Sequence, residues 1–450
     1  MTSKTIAGAL ASLASQDTSL RDCEILFADL AGVPRGKIVP AGPLAEGAEV
    51  RMARAILLQT LNGDYPDCRY YGGPDPDMRL LPVPETVRQA PWADRPRAVA
   101  IADCIDLNGV PTAISSRMLL KDILARFAQR GLFPVVAPEV EFYVFAPQVH
   151  PEDGYRMPAG KGGRTEAGFG NFGMSGRNDL AAFFDELEDA CALLGIGTDT
   201  FLHEMGPSQY EINLKHGNAL DLADQTFLFK HCVREVAARH GLLANFMAKP
   251  LTDAPGSSMH VHQSVVDADG RNVFSSPDGK ETPVFRHYIG GLQRYLPELM
   301  ALLAPTVNSF RRFVRDSNAP INLDWGYDNR SVGLRVPISA PVARRVENRL
   351  AGSDGNPYLV LAAGLACGLA GIEEAIEPDA PAADDVSVEG RHELPDRLEQ
   401  ALGLLEGSAF ARRALGDAFV EGFNASKRVE MKSFWADLTP WERRYLTGQC

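Results

Sequence analysis

Several hallmarks of secreted, membrane and nucleic-acid-binding proteins are missing from this 450-residue chain. Its seven cysteines are scattered, odd in number and form no Cys-x-x-Cys motif, which argues against a disulfide framework and for a reduced, cytoplasmic environment. No run of lysine and arginine occurs and the net charge is -13, so we expect neither nucleic-acid nor acidic-membrane binding. The amino terminus has no long apolar segment, so we expect no secretion signal.

Long hydrophobic runs and a phosphate-binding loop are missing as well. The most apolar run, residues 358–372, falls short of the ~20 residues that a helix needs to span a bilayer. The glycine-rich segment Gly160-Lys-Gly-Gly-Arg-Thr lacks the spacing of a P-loop, and a helix does not follow it directly, so it indicates a hairpin loop. Neither a membrane protein nor a P-loop nucleotidase is therefore expected.

The chain that remains divides into two parts by pattern. Residues 1–112 combine a first helix, short strands and a stretch between 60 and 95 that is rich in Gly, Pro and Asp, which indicates loops in a small mixed α/β domain. Residues 113–450 carry longer helices. One of these is almost wholly apolar and begins at Asn356-Pro357, an N-cap residue followed by proline at the first helical position. We predict an α+β protein whose second domain is built around this buried helix.

One strand, Val135–Phe145, places two carboxylates on the same face. Side chains alternate along a strand, so Glu139 and Glu141 project to one side while Val140 and Phe142 project to the other. Two negative charges side by side are costly to bury, so a cationic group is expected above them. A polar face wetted by solvent is the alternative.

The same pattern recurs in three further segments, which favours a site. In the segment 257–265, His260 and His262 lie on the same face. In 204–214 the residues on one face are Gln209, Glu211 and Asn213. In 342–350 they are Arg345, Glu347 and Arg349. Four such rows predict a curved sheet with a charged site on its concave side.

The polar residues in these rows are of two chemical kinds. Five carboxylates and one imidazole suit Mg²⁺ or Mn²⁺, and six such ligands are enough for two ions: Glu139, Glu141, Glu204, Glu211, His260 and Glu347. Arginines suited to carboxylate or phosphate recognition accompany them: Arg312, Arg330, Arg335, Arg345 and Arg349. Any one of these could be an ordinary surface arginine. Two divalent ions and several arginines in one cleft together indicate phosphoryl transfer.

The order of the motifs resembles the glutamine synthetase family, in its bacterial type I branch. The matching segments are Pro138-Glu-Val-Glu-Phe, Glu204-Met-Gly-Pro-Ser-Gln-Tyr-Glu, Gly256-Ser-Ser-Met-His-Val-His-Gln-Ser, Asn308-Ser-Phe-Arg-Arg-Phe, Asn329-Arg-Ser-Val-Gly-Leu-Arg-Val-Pro, Arg345-Val-Glu-Asn-Arg and Asn356-Pro-Tyr. The resemblance covers essentially the whole chain. It implies a β-grasp domain over residues 1–112, a catalytic domain with a curved antiparallel sheet over 113–450, and a double-ring dodecamer with active sites between subunits.

The resemblance also implies a role for each motif residue. Glu141, Glu204 and Glu211 would bind one ion, and Glu139, His260 and Glu347 the other. Gly256, Arg312 and Arg349 would contact L-glutamate, and Arg330 would contact the transferring phosphoryl group. His262, Ser264, Arg335 and Arg345 would contact ATP. Asp64 would correspond to the ammonium-site aspartate that a neighbouring subunit supplies. The implied reaction activates the glutamate γ-carboxylate as γ-glutamyl phosphate, which an amine then attacks.

One departure from the family bears on the choice of amine. Glutamine synthetases carry a Gly-Tyr-Glu-Ala-Pro flap whose glutamate helps to hold and deprotonate ammonium, whereas this chain has Asn318 at that position. An asparagine is neutral and cannot act as a base. The surrounding residues resemble those of γ-glutamylpolyamine synthetases, and Asp316, Asp324 and Asp328 would attract a cationic amine tail unless they are ordinary loop carboxylates.

We therefore expect a ligase that joins glutamate to a polyamine such as putrescine. A ligase for a small monoamine, or a glutamine synthetase that uses ammonium, is the alternative within the enzyme class. A non-catalytic relative would have lost metal ligands, and all six are present. No tyrosine lies between Tyr358 and Tyr445, so the adenylylation control of some type I enzymes is not expected.

Overall fold

The computed structural model describes residues 5–15, 20–68, 74–148, 150, 154–315, 317 and 319–449. Strands and helices are interleaved along the chain. The strands are β1 (Asp22–Ala28), β2 (Pro34–Pro40), β3 (Val50–Ala53), β4 (Asp77–Pro82), β5 (Arg88–Gln89), β6 (Arg97–Ile105), β7 (Phe133–Phe145), β8 (Thr198–His203), β9 (Gln209–Leu214), β10 (Gly217–Asn218), β11 (Leu243–Asn245), β12 (Met259–Val266), β13 (Trp325–Tyr327), β14 (Leu334–Val336) and β15 (Val346–Asn348).

The helices lengthen in the second part of the chain. They are α1 (Ile6–Ala14), α2 (Ala41–Ala45), α3 (Ser116–Ala128), α4 (Met174–Asp179), α5 (Ala181–Leu194), α6 (Ala219–Arg239), α7 (Pro283–Tyr295), α8 (Met300–Leu303), α9 (Val307–Phe310), α10 (Pro357–Glu374), α11 (Leu398–Gly407), α12 (Ala409–Leu415), α13 (Asp417–Ala436) and α14 (Pro440–Leu446). Short 3₁₀ turns lie at Arg54–Leu58, Pro84–Thr86, Leu296–Leu299 and Pro341–Ala343.

Two sheets organise the molecule, and they confirm the predicted α+β class. The first is six-stranded with the order β2-β1-β6-β4-β3, and β5 also pairs with β6. The second is nine-stranded with the order β13-β14-β15-β12-β7-β9-β8, and β10 and β11 add to β7. In the second sheet β7 pairs antiparallel with both β12 and β9. The strand that carries Glu139 and Glu141 is therefore central.

The apolar helix α10 is the buried core helix that its composition predicts. Asn356 caps it by accepting from the Tyr358 backbone N–H at 3.0 Å, and Pro357 occupies its first turn. The helix is long and apolar enough to cross a membrane by length and composition alone, but 83% of its 18-residue window is buried inside the protein. It packs against α7, α3 and α6. Its apolar character is thus explained by packing.

Two local predictions from the sequence were wrong. The loop stretch 60–95 contains β4, because Met78 and Leu80 alternate into the core between its turn residues. The glycine-rich segment 160–165 does form a hairpin loop, closed by an antiparallel bridge between Ala159 and Thr165, and α4 begins only at Met174. The segment 204–214 becomes a strand only from Gln209, so Glu204 lies in the turn between β8 and β9.

The described cysteines lie inside the fold. Six cysteines are buried, and none of them forms a disulfide within the described part of the chain: Cys23, Cys68, Cys104, Cys191, Cys232 and Cys367. Burial raises the pKa of the Cys104 thiol to about 12, so this thiol stays protonated at neutral pH.

Candidate active site

A large cleft, with a volume of about 1710 Å³, opens on the polar face of the nine-stranded sheet. It brings together most of the charged residues that the sequence singles out. These cleft-lining residues are Glu139, Glu141, Glu204, Glu211, His260, Arg312, Arg330, Arg335, Glu347 and Arg349. The same-face pattern therefore does mark one site.

Strand register explains how residues so distant in sequence meet. His260 lies directly opposite Glu139 in the β12–β7 pair, and Glu211 lies opposite Glu141 in the β9–β7 pair. His262 lies opposite Glu347 in the β12–β15 pair. Residues opposite one another in an antiparallel pair have Cβ atoms about 4.5–5.5 Å apart, which is close enough to share a ligand.

The two histidines differ in their hydrogen-bond partners. The Arg345 Nε–H donates to His262 Nδ1 at 3.2 Å, so His262 carries its proton on Nε2 and donates to Glu139 Oε1 at 2.9 Å. His260 Nδ1 lies 3.6 Å from a Glu139 oxygen and 3.8 Å from a Glu347 oxygen. Desolvation by burial, followed by the charge of Arg349, lowers the pKa of His260. The neutral imidazole is the form that binds metal ions.

Two groups of side chains, one in the cleft and one that extends beyond its lining to His262, have the spacing of a metal site. The ligand atoms of Glu139, Glu211 and His260 all lie within 4.8 Å of one another, and so do those of Glu139, His262 and Glu347. Glu139 belongs to both groups. The division of six ligands into two sets of three that the resemblance implies stays a prediction.

The electrostatics of the carboxylates fit a divalent cation. Desolvation, followed by the charges of Glu141, Glu139 and Glu204, raises the pKa of Glu211 to about 10. Desolvation and then the charge of Glu204 raise the pKa of Glu141 to about 7. Carboxylates that repel one another in a buried site either bind protons or share a cation. Mg²⁺ and Mn²⁺ match this donor set of oxygens with one imidazole.

The other end of the cleft is rich in arginine. Glu347, which is 1% exposed, accepts from Arg335 at 2.8 Å and from Arg349 at 2.6 Å. Burial opposes ionisation of Glu347, but nearby positive charge, that of Arg349 above all, outweighs burial and lowers its pKa. The Nε atoms of Arg312, Arg335 and Arg349 are buried without a hydrogen-bond partner. These unpaired donors suit an anionic ligand.

Gly256 lies where a side chain would not fit. A Cβ atom there would lie 2.6 Å from Arg312 Cγ and 2.5 Å from the Ala248 carbonyl oxygen. Glycine thus lets the backbone approach Arg312, which is consistent with the shared contact to glutamate that the resemblance implies. Arg330 is exposed in the cleft, and its charge acts to lower the pKa of Glu204, although desolvation raises that pKa overall.

The residues expected to contact the nucleotide lie at the β12–β15 side of the sheet. Arg335 lines the cleft and also donates to Asp328 at 2.5 Å. His262, Ser264 and Arg345 lie outside the cleft lining, although His262 and Ser264 continue along β12 from His260. Their contact with ATP stays a prediction.

One predicted catalytic residue lies outside the cleft lining, and another falls outside the described residues. Asp64 is exposed, accepts from Asn62 Nδ2 at 2.8 Å and lies outside the cleft lining, whereas Asn62 itself lines the cleft. Asn318 and Asp316 lie outside the described residues. The other carboxylates expected to attract an amine tail are paired: Asp324 is fully buried against Arg391 at 3.0 Å, and Asp328 binds Arg335.

Sequence reasoning missed two groups that hold Glu141. Ser258 donates to the Glu141 carboxylate through its backbone N–H at 2.9 Å and through its hydroxyl at 2.5 Å. Gln209 donates to Glu141 at 3.3 Å and to the Gly256 carbonyl at 2.9 Å. Ser258 lies two residues before His260, so the same alternation rule could have placed it on the polar face.

Sequence reasoning also missed apolar and charged groups around the cleft mouth. Phe169 and Phe172 line the cleft and are 63% and 64% exposed. Phe172 has φ +58°, which an aromatic residue rarely adopts, so the backbone there is strained. Lys249, Asp253 and Arg311 also line the cleft. Arg311 and Lys249 lie in segments that resemble the family, although no role was assigned to either, and nothing in the local sequence marks Phe169, Phe172 or Asp253 as functional.

Taken together, the fold and the cleft define an α+β protein with a metal-binding, arginine-lined site suited to phosphoryl transfer. The family model described as the glutamine synthetase catalytic domain matches residues 113–446. The chain belongs to the glutamine synthetase family.

Relatives in this family include enzymes whose names specify different amines. A γ-glutamylputrescine synthetase of Escherichia coli is 32% identical over 94% of this chain and 91% of its own length. A glutamate–isopropylamine ligase of a Pseudomonas species is 36% identical over 82% of both chains. The solved structure described as "Apo GmaS without ligand" is 31% identical, covers 97% of this chain and 98% of its own, and has a TM-score of 0.82.

Proposed function

We propose that this protein is an ATP-dependent ligase that joins the γ-carboxylate of L-glutamate to an amine through γ-glutamyl phosphate. The observation that carries the proposal is a single cleft in which the carboxylates around Glu139 and Glu211 face the arginines around Glu347. A carboxylate anion resists nucleophiles, so it must be activated before an amine can attack. Relatives that make γ-glutamyl amides support the same chemistry.

The side chains divide the work of the reaction. Arg312 and Arg349 would bind the carboxylates of glutamate, and Arg330 would lie against the phosphoryl group as it moves from ATP to the γ-carboxylate oxygen, with ADP leaving. Two divalent ions held by the cleft carboxylates would neutralise phosphate charge. The amine nitrogen then attacks the acyl carbon, loses a proton and displaces phosphate. Asn318 cannot take that proton, because its amide is neutral.

A polyamine is the first candidate for the amine. The charge of the cleft supports it, since Asp253 lines the cleft and is exposed, whereas Glu430, which also lines the cleft, is already paired with Lys427 at 2.8 Å. A protonated terminal amine would bind a carboxylate such as Asp253. Asp324 and Asp328 are less suitable than their sequence suggests, because arginines already pair with them.

A small monoamine is the second candidate, and a separate observation favours it. Phe169 and Phe172 expose their rings at the cleft, and Met205 and Val314 also line it. Such an apolar wall would contact an alkyl group and offers no carboxylate to pair with a second ammonium group. The two candidates therefore predict opposite trends with amine length and charge.

The test is phosphate release from ATP and glutamate with ammonium, methylamine, isopropylamine, ethanolamine, putrescine and spermidine as acceptors. Saturation at low putrescine concentration, with little activity on ammonium, supports the polyamine. Preference for isopropylamine or methylamine supports a small monoamine as the substrate, with the apolar wall as its binding surface. The best activity with ammonium would identify a glutamine synthetase, and phosphate release with none of the amines would overturn the proposal.

A further inference from the structure

A buried lysine outside the cleft is attached to the segment that joins β15 to α10. Lys230, on α6, is 5% exposed, and its ammonium group donates to the carbonyls of Ser353 and Gly355 at 2.7 and 2.9 Å. An ammonium group is expensive to bury, so its retention there requires compensating hydrogen bonds. We call residues 350–356 the connecting segment.

The connecting segment contacts the residues that would bind glutamate. Arg312 donates to the Leu350 carbonyl, and the Ser353 hydroxyl donates to the Glu141 main-chain carbonyl at 2.5 Å. The Ser353 backbone N–H also bonds the Ser257 carbonyl at 3.0 Å, beside Gly256. Displacement of this segment would therefore move Arg312 and the β7 backbone at Glu141 together.

A second attachment fixes the segment to the helix that precedes Arg312. The Asp354 carboxylate accepts from the Thr306 hydroxyl at 3.0 Å and from the Ser309 hydroxyl at 2.6 Å. Ser309 lies in α9, three residues before Arg312. The connecting segment is thus attached at two points. Lys230 binds it to α6, and its own residue Asp354 binds it to α9.

We infer that Lys230 is a positioning residue for glutamate binding, and that it acts through the connecting segment on Arg312. It lies outside the cleft lining and so would touch no substrate. Without its ammonium group, two buried carbonyls lose their donor and the segment shifts to find other partners. Small displacements of a binding group have large effects on binding and rate. The inference rests on the proposed function, since it concerns the site for glutamate.

The test compares Lys230→Met with a matched control, Arg234→Met. Arg234 lies one turn further along α6, and both side chains lie over the ring of Phe246. The distance to the ring centroid is 4.7 Å from Arg234 Cζ and 5.5 Å from Lys230 Nζ. Its guanidinium bonds the Lys230 carbonyl and not the connecting segment. Both variants remove a long cationic side chain that lies on α6 over the Phe246 ring. Only Lys230→Met removes the hydrogen bonds to the connecting segment.

We expect Lys230→Met to raise the KM for glutamate about tenfold or more while the KM for ATP changes less than about twofold. Arg234→Met should leave both KM values within about twofold. A role limited to stability would lower the active fraction and hence kcat, without separating the two KM values. Equal glutamate KM values in folded Lys230→Met and Arg234→Met would overturn the inference.

Asp354→Asn provides a second variant in case Lys230→Met does not fold. It keeps the size of the side chain and weakens the attachment to α9, so it should also raise the glutamate KM; an unchanged value would overturn the inference. Glutamate binding by calorimetry, with Mg²⁺ and a non-hydrolysable ATP analogue, gives a readout independent of turnover. A wild-type protein that binds glutamate but forms no amide overturns the proposed function alone. An active wild-type protein with a normal Lys230→Met variant overturns only this inference.

Discussion

At the scale of single residues, the cleft is divided into two electrostatic halves. Burial, followed by the charges of neighbouring carboxylates, raises the pKa values of Glu141 and Glu211, whereas Glu347 is paired with Arg335 and Arg349 and its pKa is lowered. One half therefore needs added positive charge, and the other already has an excess. A cleft built this way can bind cations and anions side by side, as a metal–nucleotide complex requires.

The raised pKa of Glu211 predicts a pH-dependent response to metal. Its folded-state pKa of about 10 lies above the ordinary value of 4.5, so its protonation stabilises the metal-free fold fully below about pH 4.5 and progressively less as the pH rises towards 10. A bound cation replaces that proton. We expect Mg²⁺ to raise the thermal unfolding temperature more at pH 8.5 than at pH 6.5.

Glu211→Gln is the control for this prediction, because glutamine keeps the size of the side chain and carries no titrating proton. The variant should show a smaller Mg²⁺ stabilisation at pH 8.5 and a weaker dependence of that stabilisation on pH. A wild-type response that is equal at both pH values would contradict the assignment of Glu211 as a metal ligand with a raised pKa.

At the scale of elements, Asn356 connects the long helix α10 to the first part of the chain. Its side chain caps α10 and also donates to the Asp29 carbonyl at 2.9 Å, beside Gly32, where φ is +76°. A Cβ at position 32 would lie 3.1 Å from the Asn356 Cα. The turn at Asp29–Val33 and the start of α10 therefore fit closely together.

We predict that Asn356→Ala lowers the free energy of unfolding by about 2 kcal/mol, since it removes an N-cap worth about 1 kcal/mol and a buried hydrogen bond of similar value. Thr439→Ala removes the N-cap of α14, a helix with no buried residue, and should cost about 1 kcal/mol or less. Urea unfolding of both variants measures the difference. Equal losses would show that the contact with Asp29 contributes nothing.

Elements with a strong local signal could be predicted from the sequence. The alternation in β7 and β12 and the Asn-Pro cap of α10 are each visible within a few residues, and the structure confirms them. β4 was missed because its flanking Gly, Pro and Asp residues outweigh a strand of six residues. This short strand forms because it pairs with β3 and β6, and the local sequence carries no information about those partners.

Some features of the candidate site could likewise be predicted from the sequence, and others could not. Alternation along each strand identifies which carboxylates share a face, and the family resemblance supplies their order. Neither reveals the register that sets His262 opposite Glu347, because that depends on how distant strands pair. The position of Phe172 depends on a φ of +58° that the surrounding fold imposes. Such residues lie beyond local sequence reasoning.

At the scale of the whole molecule, an apolar surface lies near the carboxyl terminus. Trp435, Leu438 and Trp441 are 66%, 67% and 62% exposed. Aromatic residues exposed together mark association surfaces more often than ordinary solvent-facing ones. This surface is compatible with the dodecamer that the family resemblance implies.

Light scattering should therefore give a mass many times the 48.8 kDa of one chain. Trp441→Glu places a charge in this apolar surface and should lower the mass. Leu193→Glu is the matched control, since Leu193 is 50% exposed on α5, far along the chain from α14, and should leave the mass unchanged. A monomeric wild-type protein would contradict the prediction of an assembly.

The central position of β7 has a consequence for the order of events during synthesis. β7 leaves the ribosome early, but its partner β12 and the strand beyond it, β15, are made more than a hundred residues later. A nascent chain that ends before Arg312 presents Glu139 and Glu141 with the acidic half of the cleft and without the arginines that balance it. Such a chain already contains Glu139, Glu211 and His260, one of the two groups with the spacing of a metal site. A divalent cation is therefore the charge that is left to balance the polar strand face until the arginines are made.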